Sequence, residues 1–201
     1  MYVICADLEG VFVPEVWINV AEKTGIPELR LTTRDISDYD VLMTQRIKIL
    51  KEKGLKLKDI QDVIATIKPL DGALEFITWL RETTQLIVVS DTFSQFAEPL
   101  MKQLGRPTLF CHNLVIDEED NIVGYKLRQK DPKRKVVEAL QSLEYKVLAF
   151  GDSYNDTTML QQAERGILFR PPQNVIDDFP KLPVANNYKD LKALLENYLE
   201  N

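Results

Sequence analysis

Five short and nearly continuous apolar runs recur along the chain: Val3–Ala6, Leu86–Val89, Thr108–Cys111, Val147–Phe150 and Gly166–Phe169. Runs of this length, apolar at every position, belong to strands covered on both faces. Between them, Asp71–Arg81, Phe93–Leu104, Pro132–Leu143 and Asp156–Ala163 carry apolar residues three and four apart, the period of an amphipathic helix. The alternation predicts an α/β fold built on a doubly wound, mostly parallel sheet. Asp131-Pro132 reads as an N-cap followed by proline in the first turn. Leu114–Ile116 and Ile122–Leu127 flank Asp-Glu-Glu-Asp-Asn and read as an antiparallel hairpin beside the main sheet.

One stretch breaks the alternation. Residues 14–69 show helical period and no strand run: Val16, Val20 and Ala21 share one face, Val41, Leu42, Ile47, Ile49 and Leu50 mark a second helix, and Ile60, Val63, Ile64 and Ile67 a third. Ligands of open α/β sheets bind at the carboxyl ends of the strands, and a helical insertion directly after the first strand sits above that end. The expected organisation is a catalytic core of residues 1–13 and 70–201 with a small helical cap, 14–69, acting as a lid.

The chemistry concentrates at strand ends. Asp7 and Glu9 follow the first run, and residues two apart on an extended chain point to the same side. Gly151-Asp152-Ser153-Tyr154-Asn155-Asp156 follows another run. So many carboxylates at one partly buried site need a cation, and magnesium accepts such hard oxygen ligands. Ser90-Asp91-Thr92 lies between an apolar run and a helix, where a hydroxyl and free backbone N–H groups bind phosphate. Lys133 stands in a first helical turn, a place the helix dipole disfavours for cations, which hints at a functional reason.

Bulk properties exclude some roles. The net charge of −6 and pI near 5.0 argue against an extended nucleic-acid surface. Tyr2–Ala6 is too short for a membrane span or a signal peptide, so a cytoplasmic protein is expected. Cys5 and Cys111 read as reduced, buried thiols, and His112, the only histidine, as a surface or packing residue.

In their order, Asp7–Val11, Ser90, Lys133 and Gly151–Asp156 resemble the four motifs of the haloacid dehalogenase superfamily, over nearly the whole chain. The helical insertion after the first motif resembles the phosphoserine phosphatase branch. The contexts Asp-Leu-Glu-Gly, Ser-Asp-Thr-Phe and Gly-Asp-Ser-Tyr-Asn-Asp are closest to bacterial phosphoserine:homoserine phosphotransferases. The resemblance implies that Asp7 attacks phosphorus and becomes an aspartyl-phosphate. It implies Mg²⁺ held by Asp7, the Glu9 backbone carbonyl and Asp152, with Asp156 orienting the metal's waters. Ser90 and Lys133 would bind the phosphoryl oxygens and Asn155 would position Ser90 or the substrate, with Asp91 and Thr92 beside them. Glu15 would take a substrate ammonium, Arg46 its carboxylate, and Met43 would line the pocket. The partners implied are phosphoserine as donor and homoserine or water as acceptor; a homodimer is compatible with the resemblance.

Two departures stand out. Glu9 replaces the family's usual aspartate, adding one methylene to the arm that would protonate the leaving alkoxide and deprotonate the acceptor. Asp91-Thr92 stands where phosphoserine phosphatases have two glycines. The rival readings are a phosphatase of the same fold acting on another small phosphomonoester, and a phospho-accepting receiver domain. The receiver needs neither a helical lid nor the Gly151–Asp156 element, and a P-loop kinase is set aside because no Gly-x-x-x-x-Gly-Lys run exists.

Overall fold

The computed structural model describes residues 1–32, 35–36 and 38–200. Among them the strands are β1 (Tyr2–Ala6), β2 (Gln85–Phe93), β3 (Thr108–Ile116), β4 (Ile122–Lys126), β5 (Lys146–Gly151), β6 (Arg165–Phe169) and β7 (Val184–Ala185). They form one sheet in the order β4-β3-β2-β1-β5-β6-β7, parallel throughout except for the β3–β4 hairpin at one edge. From β1 the chain winds outward to β2 and β3, then returns to place β5 on the other side. The reversal of strand order therefore lies between β1 and β5, the crevice where such sheets bind ligands.

The pleat divides the apolar runs between two cores. Ile4 and Ala6 of β1 and Leu148 and Phe150 of β5 pack on one face, while Cys5, Val147 and Ala149 pack on the other. The first face is covered by α4 (Ala73–Thr83), α5 (Ser94–Gln103) and α9 (Tyr188–Leu199), the second by α6 (Pro132–Ser142), α7 (Thr157–Gln162) and α8 (Gln173–Asp178). Helices α1 (Val16–Thr24), α2 (Tyr39–Glu52) and α3 (Leu57–Ala65) occupy the stretch after β1, and no strand forms there among the described residues. Their inward residues Val16, Val20, Met43, Leu50, Ile60 and Ile64 belong to the same buried cluster as the first core.

The insertion is also stitched to the hairpin. The Asp120 carbonyl accepts the Leu57 N–H at 2.9 Å, and the Asp120 carboxylate accepts the Lys58 N–H at 3.0 Å. Asp120 thus caps α3 from outside the helix. The Tyr125 ring packs edge-on against Tyr39 of α2, and its hydroxyl donates to Asp40.

Several sequence expectations need correction. Thr108–Cys111 and Leu114–Ile116 are one strand, β3, because the polar His112-Asn113 interrupts the apolar pattern but not the ladder. Strand β2 runs past Ser90 to Phe93, with a register shift after Val89, so α5 begins only at Ser94 and Ser90 is not at a helix start. Asp131 holds the N-cap position of α6 in the left-handed region (φ 50°) without capping it. Its carboxylate instead pairs with Arg134 and accepts the Thr158 hydroxyl. Cys111 is half-buried, and both cysteines are free. Strand β7 and helices α8 and α9 had no counterpart in the sequence reading. No helix among the described residues is long and apolar enough to cross a membrane.

Candidate active site

Asp7 follows β1 directly, and its N–H still donates to the Phe150 carbonyl of β5 at 3.1 Å. It is held by both strands of the central crevice. The extended chain stops there: Phe12 and Val13 donate back to the Leu8 carbonyl, so Glu9 reaches the site through a tight turn and not along a continuing strand. Gly10 makes that turn at φ +74°, and a Cβ there would lie 2.4 Å from the Asp152 carboxylate. Gly151, at the end of β5, is equally constrained, since a Cβ would meet the Asp156 carboxyl at 2.3 Å. Both glycines let carboxylates approach backbone where any side chain would intervene.

The centre is an ion cluster. Asp7 (5% exposed) and Lys133 (3%) are buried, with Lys133 Nζ at 2.9 Å from Asp7 Oδ1, 2.7 Å from Asp156 Oδ1 and 3.4 Å from Asp91 Oδ2. Burial by itself would discharge Lys133, but Asp156, Asp7 and Asp91 outweigh it and hold the ammonium charged. Asp7 is pushed the other way. Burial raises its pKa well above the usual range, the Asp156 and Asp152 charges add to this, and Lys133 offsets only part. Asp91 stays ionised below the ordinary range because Lys133 and His112 overcome its burial.

Asp7, Asp152 and Asp156 each offer a carboxylate oxygen, all within 4.8 Å of one another, a set of hard donors that could hold a metal ion. A cation there would reverse the upward pressure on Asp7. The three are not equivalent, however. Asp156 is fully buried, and its Oδ2 already accepts the N–H groups of Asp152 and Ser153, both at 3.0 Å, and the Ser153 hydroxyl. With Oδ1 on Lys133, Asp156 is a bracket that fixes its neighbours more than a ligand in waiting.

A cavity of about 120 Å³ opens over this cluster, lined by Asp7, Glu9, Ser90, Lys133, Asp152 and Asn155 at its base and by Glu15, Trp17, Tyr39 and Arg46 from the insertion. A wider vestibule adjoins it and shares Glu15, Asp91 and Asn155. Ser90 and Thr92 are buried, and the Thr92 N–H donates to Ser90 Oγ at 3.2 Å. Glu9 Oε2 accepts the Val16 N–H at 2.8 Å, capping α1 in place of a local side chain. Burial first, then the neighbouring Glu15 charge, pushes the Glu9 carboxyl up to about 8. Its proton is therefore held near neutrality, as a general acid requires.

Arg46 is 6% exposed. Its guanidinium lies 4.4 Å over the Trp17 ring and donates to the Leu31 carbonyl at 2.7 Å, yet its Nε has no hydrogen-bond partner among the described residues. Burial lowers its pKa to about 10, leaving it a cation at neutral pH. Met43 does not line the cavity as expected; its sulfur contacts Arg46 Nη1 at 3.6 Å from behind, because α2 turns that position into the core. The sequence reading missed Trp17 and Tyr39. Nothing in the sequence singles out Trp17, and only the tertiary contact between a residue of α1 and one of α2 shows it as the platform for Arg46.

Comparison with known proteins agrees with this fold. Residues 10–164 match the family profile of haloacid dehalogenase-like hydrolases. A protein of Pseudomonas aeruginosa named phosphoserine phosphatase ThrH is 64% identical over 192 residues, covering 96% of this chain and 94% of that one. A phosphoserine phosphatase of Pseudomonas syringae pv. tomato is 62% identical over 188 residues, covering 94% of this chain and 79% of that one. Among solved structures, a phosphoserine phosphatase in apo form superposes with a TM-score of 0.76 at 21% identity, covering 96% of this chain and 97% of that one, which shows the shared fold. The chain belongs to the haloacid dehalogenase-like hydrolases.

Proposed function

We propose that the chain is a magnesium-dependent enzyme that takes the phosphoryl group of O-phosphoserine onto Asp7 and passes it to water or to homoserine. The observation that carries the reading is Asp7 itself: a buried carboxylate with Lys133 at 2.9 Å, facing a cavity with Glu15 and a buried, partly unpaired Arg46. At about 120 Å³ that cavity is far below the roughly 300–1,000 Å³ of pockets for larger ligands, so a small metabolite fits it best. Glu15 suits the ammonium and Arg46 the carboxylate of an amino acid. The P. aeruginosa and P. syringae relatives carry the name phosphoserine phosphatase, which supports the same substrate.

Asp7 attacks phosphorus, the bond from phosphorus to the serine oxygen breaks, and the leaving oxygen takes the Glu9 proton. Glu9, now a carboxylate, accepts a proton from the incoming hydroxyl as that oxygen attacks the phosphoryl group and Asp7 is released. Lys133 and Ser90 hold the equatorial oxygens, and Asn155 borders them from the mouth of the site. Mg²⁺, held by Asp7, Asp152 and the Glu9 carbonyl, would neutralise charge developing on those oxygens. Residues 14–69 act as the lid that brings Glu15 and Arg46 over the core.

The test is turnover of phosphoserine with and without homoserine. Release of inorganic phosphate marks the phosphatase, and formation of phosphohomoserine marks the transferase. Inertness towards both overturns the amino-acid reading.

A further inference from the structure

His112 lies on β3, outside every motif above, yet it is 2% exposed and built into the site. The Arg128 N–H donates to its Nδ1 at 3.0 Å. That bond makes Nδ1 an acceptor and assigns the proton of the neutral ring to Nε2. Nε2 lies 3.6 Å from Asp91 Oδ1, and the other oxygen of Asp91 lies 3.4 Å from Lys133 Nζ. The Phe93 ring packs on the imidazole from within the core. A chain of contacts thus runs from the backbone just after β4 through His112 and Asp91 to the lysine.

The position of Asp91 makes that chain consequential. Asp156 and Asp7 lie at hydrogen-bonding distance from Lys133, while Asp91 stands at a looser 3.4 Å, so the donor on that side is the one left to turn onto a phosphoryl oxygen. Asp91 is a third exposed, on the border of cavity and vestibule. A carboxylate free to rotate there would turn its charge on an incoming phosphoryl dianion. In the structure one of its oxygens faces His112 Nε2 at 3.6 Å and the other is turned towards Lys133. We propose that His112 is a positioning residue: through Asp91 it sets the direction of the third Lys133 donor and keeps the Asp91 charge off the phosphoryl group. The proposal rests on the reading of Lys133 as the phosphoryl-binding cation. It assigns Asp91 to the lysine and not to the substrate.

The experiment is a double-mutant cycle on kcat and KM for phosphoserine in the Mg²⁺-loaded enzyme, using His112→Phe, Asp91→Asn and the pair. Expected is a fall in kcat of about 10- to 100-fold for each single variant, the range for partners that orient a functional group, with KM unchanged or lowered for Asp91→Asn. The pair should lose no more than Asp91→Asn alone, because the imidazole acts only through that carboxylate. His112→Gln, which restores a donor facing Asp91, should recover most of the loss; a purely packing role predicts no recovery. Thermal unfolding reports whether each variant folds. If His112→Phe does not, the Asp91→Asn kinetics and the His112→Gln kinetics decide.

Multiplying losses in the pair would overturn the proposal. So would a raised KM at constant kcat in Asp91→Asn, which makes Asp91 a substrate ligand, or a folded His112→Gln no better than His112→Phe. A wild-type enzyme inert to phosphoserine would instead remove the amino-acid reading above, and the same cycle would then be run on p-nitrophenyl phosphate.

Discussion

At the scale of single residues, Asp7 and Glu9 divide the chemistry between them. Asp7→Asn keeps the shape of the nucleophile and removes its charge, so turnover should fall by roughly 10⁴-fold or more while the fold persists; steady-state kinetics beside a thermal melt check both halves. Glu9→Gln keeps the length of the arm and removes its proton. In single-turnover phosphorylation of Asp7, its loss should be about 10²–10⁴-fold with phosphoserine and much smaller with p-nitrophenyl phosphate, whose phenolate leaves without protonation; the later deprotonation of the acceptor is common to both. An equal loss on both substrates would assign Glu9 to something other than acid catalysis. Cys111 gives a test away from the site. Burial lifts its thiol from an ordinary 9.0 to about 11, so alkylation at neutral pH should run about a hundredfold slower than for a free thiol. The folded state holds this proton more tightly than the unfolded chain. The corresponding stability is therefore complete below 9.0 and is lost as pH rises through about 11, which alkaline denaturation can follow.

At the scale of elements, the strands were legible because an unbroken apolar run buried on two faces leaves few alternatives. Their ends were less so. Nothing in Val88-Val89-Ser90-Asp91-Thr92 signals that β2 continues to Phe93, since a register shift against β3 is a property of the pair of strands. The short β7 has two residues and no pattern of its own. The capping of α3 by Asp120 was equally invisible, because donor and acceptor lie more than sixty positions apart. Asp120→Ala removes the carboxylate half of that cap while leaving its carbonyl and the strained φ of +68° in place, so it should cost about 1 kcal/mol in chemical denaturation. Should the insertion move as a lid, the same change loosens its tie to the hairpin and should raise KM for phosphoserine before it alters kcat.

At the scale of the whole molecule, the site gathers Asp7, Asp91 and Asp156 around one buried ammonium with Asp152 beside Asp7 and Asp156, and a bound cation should stabilise the fold. Mg²⁺ at a hundred times its Kd should add about 2.7 kcal/mol, or about 5–11 °C in melting temperature for a chain of this size. Chelation should reverse the shift, and Asp152→Asn should abolish most of it; a melt indifferent to Mg²⁺ would count against a metal at this cluster. The sequence by itself determined the alternating architecture, the helical insertion and the motif residues, because periodicity and strand-end chemistry are local properties of a chain. Tertiary structure alone decided that Met43 backs Arg46 instead of lining the cavity, that Trp17 carries its guanidinium, and that His112 reaches Lys133 through Asp91. Those relations join α1 to α2 and β3 to β2 and α6, and the distances that create them exist only once the sheet has brought its strands side by side.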